Sequence, residues 1–130
     1  MFEATARMQI RDGELEAFKH QAAEIIRIAS EEDTKTLRYD WFISDDGTEC
    51  EVRETYVDAD AVLEHSEHVW EARSKLFRDF ADGHHMTFYS EPSPALAEAL
   101  DAMGASVEVT RFSFFQGLEA DSSIPEEVPA

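Results

Sequence analysis

Three side chains of this 130-residue sequence, Glu54, His65 and Arg73, place an ionisable group where the local pattern is otherwise apolar. Histidine exchanges a proton near neutral pH, arginine holds anions, and a carboxylate orients either one. On a helical wheel at ~100° per residue, the stretch from Asp60 to Phe80 gathers Val62, Leu63, Val69, Trp70, Leu76, Phe77 and Phe80 on one broad face. Ser66 and Arg73 fall near its middle, and His65 lies at its edge beside Leu76. A cation at the centre of a core face is costly unless paired. Two arrangements relieve that cost. Arg73 either snorkels or makes a private ion pair with Glu54 or a helix carboxylate. Alternatively, Arg73, Ser66, His65 and Glu54 line an aromatic-walled pocket between helix and sheet, the usual make-up of a small-molecule site.

Other polar groups have simpler readings. Adjacent strand residues point to opposite faces, so His84 and His85 would need outside partners to hold a metal, and they read as exposed or capping residues. Glu64, His68 and Glu71 share the charged outer face of the same helix and read as solvated surface. Cys50 reads as a small core residue. The chain has no Gly-rich phosphate loop, no assembled Ser–His–Asp set and no zinc spacing, so neither a cofactor nor a metal is expected.

The elements that must position these groups follow from periodicity. Residues 4–11 alternate as a half-buried strand. Leu15, Phe18, Ala22, Ile25, Ile26 and Ala29 recur at helical spacing to about Glu32. Leu37 to Ile43 and Cys50 to Tyr56 form a hairpin about a two-residue Asp46-Gly47 turn, which sets Asp45 opposite Thr48, Asp40 opposite Arg53 and Tyr39 opposite Glu54. One hairpin face then carries an Asp40–Arg53 pair, and the other carries Leu37, Tyr39, Trp41, Ile43, Cys50, Val52, Tyr56 and Glu54. Asp58 caps the second helix, which runs to about Phe80 before Asp82-Gly83 ends it. A strand from His85 to Glu91, a short helix from Ser93-Pro94 to Gly104 and a strand from Val107 to Phe115 follow. The order β-α-β-β-α-β-α-β predicts an α+β, ferredoxin-like fold in which helices cover one face of an antiparallel sheet. Residues 1–118 form one domain, and 119–130 an acidic, proline-containing arm. The uncovered face is expected to be apolar and buried in a homodimer.

A net charge of −18 repels phosphate, so nucleic acid and anionic membrane are poor partners. No run is long and apolar enough for a membrane helix, and the first residues lack a secretory pattern. With a single cysteine, cytoplasmic residence is the default expectation. The acid-rich, lysine-poor composition fits either a high-salt adaptation or an ordinary acidic protein.

The segment from Leu37 to Val69 resembles the antibiotic biosynthesis monooxygenase superfamily. Glu54, the aromatic Tyr56 and the helix residue His65 match its glutamate–aromatic–histidine pattern. Tyr89 to Leu96 and the closing residues Phe112 to Gly117 also look like its quinol monooxygenase branch. The resemblance implies a dimeric α+β barrel with a pocket in each subunit, and includes oxygenases that act on quinols or phenols without metal or flavin. The sequence contains no asparagine, so the asparagine–tryptophan–histidine set of haem-degrading relatives is incomplete. On this basis the expected function is a cofactor-independent monooxygenase-like enzyme for a small aromatic or quinol-type substrate. His65 would be general base, Arg73 would stabilise a phenolate or oxygen anion, and Glu54 would orient one of them. Tyr39, Trp41, Tyr56, Ser66 and Trp70 would contact the substrate. The rivals are a non-catalytic dimer that binds a small hydrophobic molecule, and a structural dimer with a filled core.

Overall fold

The computed structural model describes residues 1–118, and the expected arm at 119–130 lies outside the described residues. The elements are β1 (Phe2–Ile10), α1 (Leu15–Glu32), β2 (Thr36–Ile43), β3 (Glu49–Tyr56), α2 (Asp60–Asp79), β4 (Ala81–Phe88), α3 (Pro94–Met103) and β5 (Glu108–Arg111). A 3-10 turn at Gly104–Ser106 separates the last two. Strand order in the sheet is β2-β3-β1-β4-β5. The first four strands pair antiparallel, which is the ferredoxin-like arrangement. The fifth corrects the all-antiparallel expectation: β5 runs parallel to β4. Parallel neighbours need a crossover, and α3 provides it.

Every second residue of β1, from Phe2 through Ala4, Ala6 and Met8 to Ile10, is buried beneath the helices. Phe18 and Ile25 of α1 and Val69 and Leu76 of α2 pack on Met8, Ile10, Cys50 and Val52. A second cluster joins Phe2, Tyr56 and Phe88 to Ala61 and Leu96. Burying each large side chain contributes roughly 1.5–3 kcal/mol. The helix ends are capped as expected. Asp58 Oδ1 accepts from the Ala61 amide at 2.9 Å, and Ser93 Oγ accepts from Leu96 ahead of Pro94.

The hairpin keeps its expected register, with Tyr39 opposite Glu54 and Asp40 opposite Arg53. Its turn is wider than expected, because the last backbone bond joins Ser44 to Glu49 and leaves Asp45 and Thr48 within the loop. Asp46 accepts from Ser44 and from Thr48, which holds it at negative φ, so Gly47 alone is left-handed. Leu37 is exposed instead of inward, because a bulge between Thr36 and Arg38 inserts it as an unpaired residue.

Helix α2 closes at Phe80, as expected, but Asp82-Gly83 is not what ends it, since Ala81 pairs with Ile10 at once. Gly83 instead belongs to a bulge in β4, where φ is 71° and an added Cβ would lie 3.0 Å from Gln9 Oε1. Beyond β4 and β5 the expected strands run too long, since pairing stops at Phe88 and Arg111.

The uncovered face is also more polar than expected. Arg7, Glu51, Arg53, Arg38 and Asp40 occupy it, with Arg7–Glu51 at 2.8 Å and Arg38–Asp40 at 2.6 Å. The facing residues Asp40 and Arg53 therefore each pair with a different neighbour, Arg53 with Glu51 at 3.5 Å. Phe112 and Phe114, expected within the last strand, lie past the end of β5, where Phe112 stacks on Tyr89.

Candidate active site

The stripe of α2 that meets the sheet is Ala61, His65, Val69 and Leu76, so His65 sits at its centre and not its edge. The helical wheel placed the stripe too far round because it takes Trp70 as core; Leu63 packs beside the second cluster, whereas Trp70 lines a groove between α2 and α3. His65 is 3% exposed. Its Nδ1 lies 2.6 Å from Oδ2 of Asp33, the residue that closes α1. The Asp33 carboxylate also accepts from Thr36 Oγ1 at 2.7 Å and contacts His68 Nδ1 at 2.6 Å. Burial opposes its ionisation, but the bonds from His65, His68 and Thr36 prevail and hold its pKa down to about 2. An ionised carboxylate only accepts, so Nδ1 of His65 carries a hydrogen, and in the neutral ring the lone pair lies on Nε2.

His65 lines a cavity of about 50 Å³ between α2 and the sheet. Glu54, Tyr39, Trp41 and Tyr56 form its sheet side, and Ser66, Arg73 and Phe77 its helix side. Glu54 accepts a hydrogen bond from the Tyr56 hydroxyl, and burial raises its pKa. Burial also carries both tyrosines well above the ordinary phenol range, so they are donors and not bases. Tyr39 meets the His65 ring edge-on at 4.6 Å and fixes its plane. Trp41 Nε1 is buried and has no hydrogen-bond partner among the described residues. Such a donor is uncommon in a native interior.

Arg73 donates to Ser66 Oγ at 2.9 Å and, among the described residues, has no carboxylate within ion-pair distance. The private ion pair with Glu54 is therefore absent, and a neutral hydroxyl takes the bond. Arg73, Phe77 and His84 also line an outer groove of about 450 Å³, which makes them the partition between cavity and surface.

The structure thus brings Glu54, His65, Arg73, Ser66, Tyr39, Trp41 and Tyr56 together. Trp70 is left out, 55% exposed in the groove under α3. Asp33 and His84, neither expected in the site, join them, and His68 reaches them through Asp33. His68 and Glu64 looked like solvated surface, yet His68 meets Asp33 and Glu64 accepts from both the amide and hydroxyl of Thr34. His84 faces the cavity stacked 4.4 Å from Phe77, while His85 turns to the other face and meets Thr110. Burial, then the charge of Arg73, lower the His84 pKa to about 4. Among the described residues no cluster of His, Cys, Asp and Glu has the arrangement of a metal site. Cys50 is core, its thiol pushed by burial up to about 12.

Topology and site define a ferredoxin-like α+β protein with a polar pocket between its second helix and the sheet. MupZ from Pseudomonas fluorescens is similar at 27% identity and a TM-score of 0.72, over 94% of this chain and 95% of that one. A crystal structure of an antibiotic biosynthesis monooxygenase aligns at 14% identity and a TM-score of 0.62, over 72% of this chain and all of the other. Rv0793 from Mycobacterium tuberculosis aligns at 23% identity and a TM-score of 0.60, over 72% and 97%. The chain shares its fold with these proteins, an antibiotic biosynthesis monooxygenase among them. No family model matches the chain, and no curated protein matches it in sequence. No helix among the described residues is long and apolar enough to cross a membrane.

Proposed function

We propose that the chain is a cofactor-independent monooxygenase-like enzyme for a small phenolic or quinol-type substrate. The observation that carries this reading is His65, which lines the cavity and is held at Nδ1 by an ionised Asp33, leaving Nε2 as the nitrogen a substrate can meet. A base whose tautomer is fixed by a carboxylate is suited to removing a phenolic proton. Arg73 then stabilises the anion, and Trp41 Nε1 donates to a substrate oxygen. The electron-rich anion reduces dioxygen; one oxygen atom enters the product and the other leaves as water, with the electrons drawn from the substrate carbon that is oxidised.

A cavity of about 50 Å³ accepts a water molecule or two, whereas a benzene-sized guest needs nearer ~150 Å³. Admission of a ring therefore requires the partition of Arg73, Phe77 and His84 to swing toward the outer groove. The small closed volume favours one second reading, a dimer that binds a small hydrophobic molecule without turning it over. Oxygen uptake over a panel of hydroquinones and anthrone-like phenols tests the choice. Uptake with wild type that falls ~10²–10⁴-fold in His65→Ala supports the enzyme. Binding without uptake leaves only the binder.

The same reading includes a homodimer formed through the uncovered sheet face, with Tyr89, Phe112 and Phe114 at its edge. An interface of this kind buries more than ~2,000 Å². Light scattering at micromolar protein and moderate salt should give twice the chain mass, and a monomer there removes the dimer from the proposal.

A further inference from the structure

Asp33 gives one carboxylate oxygen to each of two imidazoles. Oδ2 lies 2.6 Å from Nδ1 of His65, and Oδ1 lies 2.6 Å from Nδ1 of His68. The rings differ in setting: the side chain of His65 is 4% exposed and that of His68 24%, while Asp33 is 2% exposed between them. One ring therefore faces the cavity and the other reaches solvent, with a single buried negative charge to share. A surface histidine has no structural need to contact a carboxylate already bonded to Thr36 and His65.

We propose that His68 is a positioning residue that sets the proton affinity of His65 through the carboxylate they share. This rests on the reading of His65 as base but concerns only its titration. A single carboxylate supports one imidazolium well. Placing a second cation beside it, in a site with little water, sets the two rings against each other. A protonated His68 therefore keeps His65 neutral and ready to accept a substrate proton, and a neutral His68 releases Asp33 to favour His65 as the cation.

Other charges near the pair do not remove the coupling. Arg73 on α2, Glu54, Tyr39 and Tyr56 on the sheet, and His84 on β4 share the cavity with His65. Near His68 stand Glu32 at the end of α1 and Glu64 on α2, and the hydrogen bond to Asp33 is the largest influence raising its pKa. None of these bridges the two rings as Asp33 does.

The test is a ¹³C-histidine NMR titration of the full chain without substrate, so its result stands whether or not the protein proves to be an enzyme. In wild type, the His65 resonance should titrate in two steps, one coinciding with His68. His68→Gln keeps a donor to Asp33 without the charge and should raise the His65 midpoint by about one pH unit. His68→Lys keeps a permanent charge and should leave the midpoint at or below its wild-type position. A single-step His65 titration in wild type overturns the proposal even if neither variant folds, and so does an equal midpoint in the Gln and Lys variants. If oxygen uptake is found, its acidic limb should move with the His65 midpoint across the same variants.

Discussion

Asp33 Oδ2 and His65 Nδ1 lie 2.6 Å apart although 32 residues separate them, because the end of α1 and the first turns of α2 meet over the β2–β3 hairpin. The contact aims Nε2 into the cavity. Asp33→Asn replaces an acceptor with an amide that can present either end, so the histidine tautomer is no longer fixed. Turnover of a phenolic substrate should fall ~10²–10⁴-fold, approaching the loss in His65→Ala. Steady-state oxygen uptake checks this, and an Asp33→Asn enzyme with wild-type kcat would remove the carboxylate from the mechanism.

His84 should make the fold sensitive to mild acid. Its folded pKa, about 4, lies below the ordinary value of 6.5, so the native state keeps the ring neutral while the unfolded chain takes up a proton. This contribution is complete above pH 6.5 and is lost as pH falls toward 4, for a total of roughly 3 kcal/mol. Asp33 acts lower: its contribution persists above pH 3.8 and disappears as pH falls through about 2. Urea unfolding at pH 7 and 4.5 should show a smaller drop for His84→Phe than for wild type. Acid effects common to both proteins, including those at Glu54, cancel in that comparison.

Much of this arrangement was open to reading from the sequence. The alternation of β1, the spacing of α1 and the caps at Asp58 and Ser93 all act over a few residues, so pattern alone places them. Hairpin register was read from a two-residue turn, and it holds although the turn is wider, because the inward faces of the two alternating runs must agree. The site was half legible: Glu54, Tyr56 and His65 share an apolar neighbourhood within one hairpin and one helix. Asp33 was not legible, since nothing within α1 or the following loop marks a carboxylate that will be buried by a later helix. His84 was missed because the strand was expected to begin at His85; pairing in fact reaches Ala81, and alternation back from Phe88 and Met86 puts His84 on the inward face. Trp70 was misplaced because a wheel cannot show that a third helix will share the α2 surface.

Arg73 should separate ligand binding from stability. Its bond is to the Ser66 hydroxyl and not to a carboxylate, so Arg73→Leu strands no ionic partner. The expected loss in folding free energy is about 1 kcal/mol, near that of one ordinary hydrogen bond. Binding of an anionic phenolate should weaken at least ~10-fold, because a charge-assisted contact contributes more than ~1.4 kcal/mol. Glu54→Gln, made beside it, removes the buried acid whose ionisation Arg73 favours. Calorimetry and denaturant unfolding on the single and double variants check both arms. A large stability loss with unchanged binding would mark Arg73 as structural only.

The net charge of −18 gives a further test. If the surface is adapted to high salt, raising potassium chloride from low to molar concentration should increase Tm by several degrees as carboxylate repulsion is screened. Exposed pairs such as Arg27–Glu24 would weaken slightly over that range. A neutral osmolyte at matched osmolality controls for general exclusion effects. A flat Tm assigns the acidity to an ordinary surface.

The two bulges have a consequence for anyone who recombines this chain with its relatives. The β1–β3 pairing runs unbroken from Phe2 opposite Tyr56 to Gln9 opposite Glu49, whereas the strands flanking it each carry one surplus residue. Positions 37 and 83 are therefore phase marks. Deleting Gly83 would keep every residue type on β4 but exchange its two faces on one side of the cut, sending either His84 or Ala81 outward. A chimera that crosses over between a bulged and an unbulged β4 would inherit that fault even at a perfectly aligned junction. Grafts that carry Gln9, Gly83 and His84 as one block avoid it.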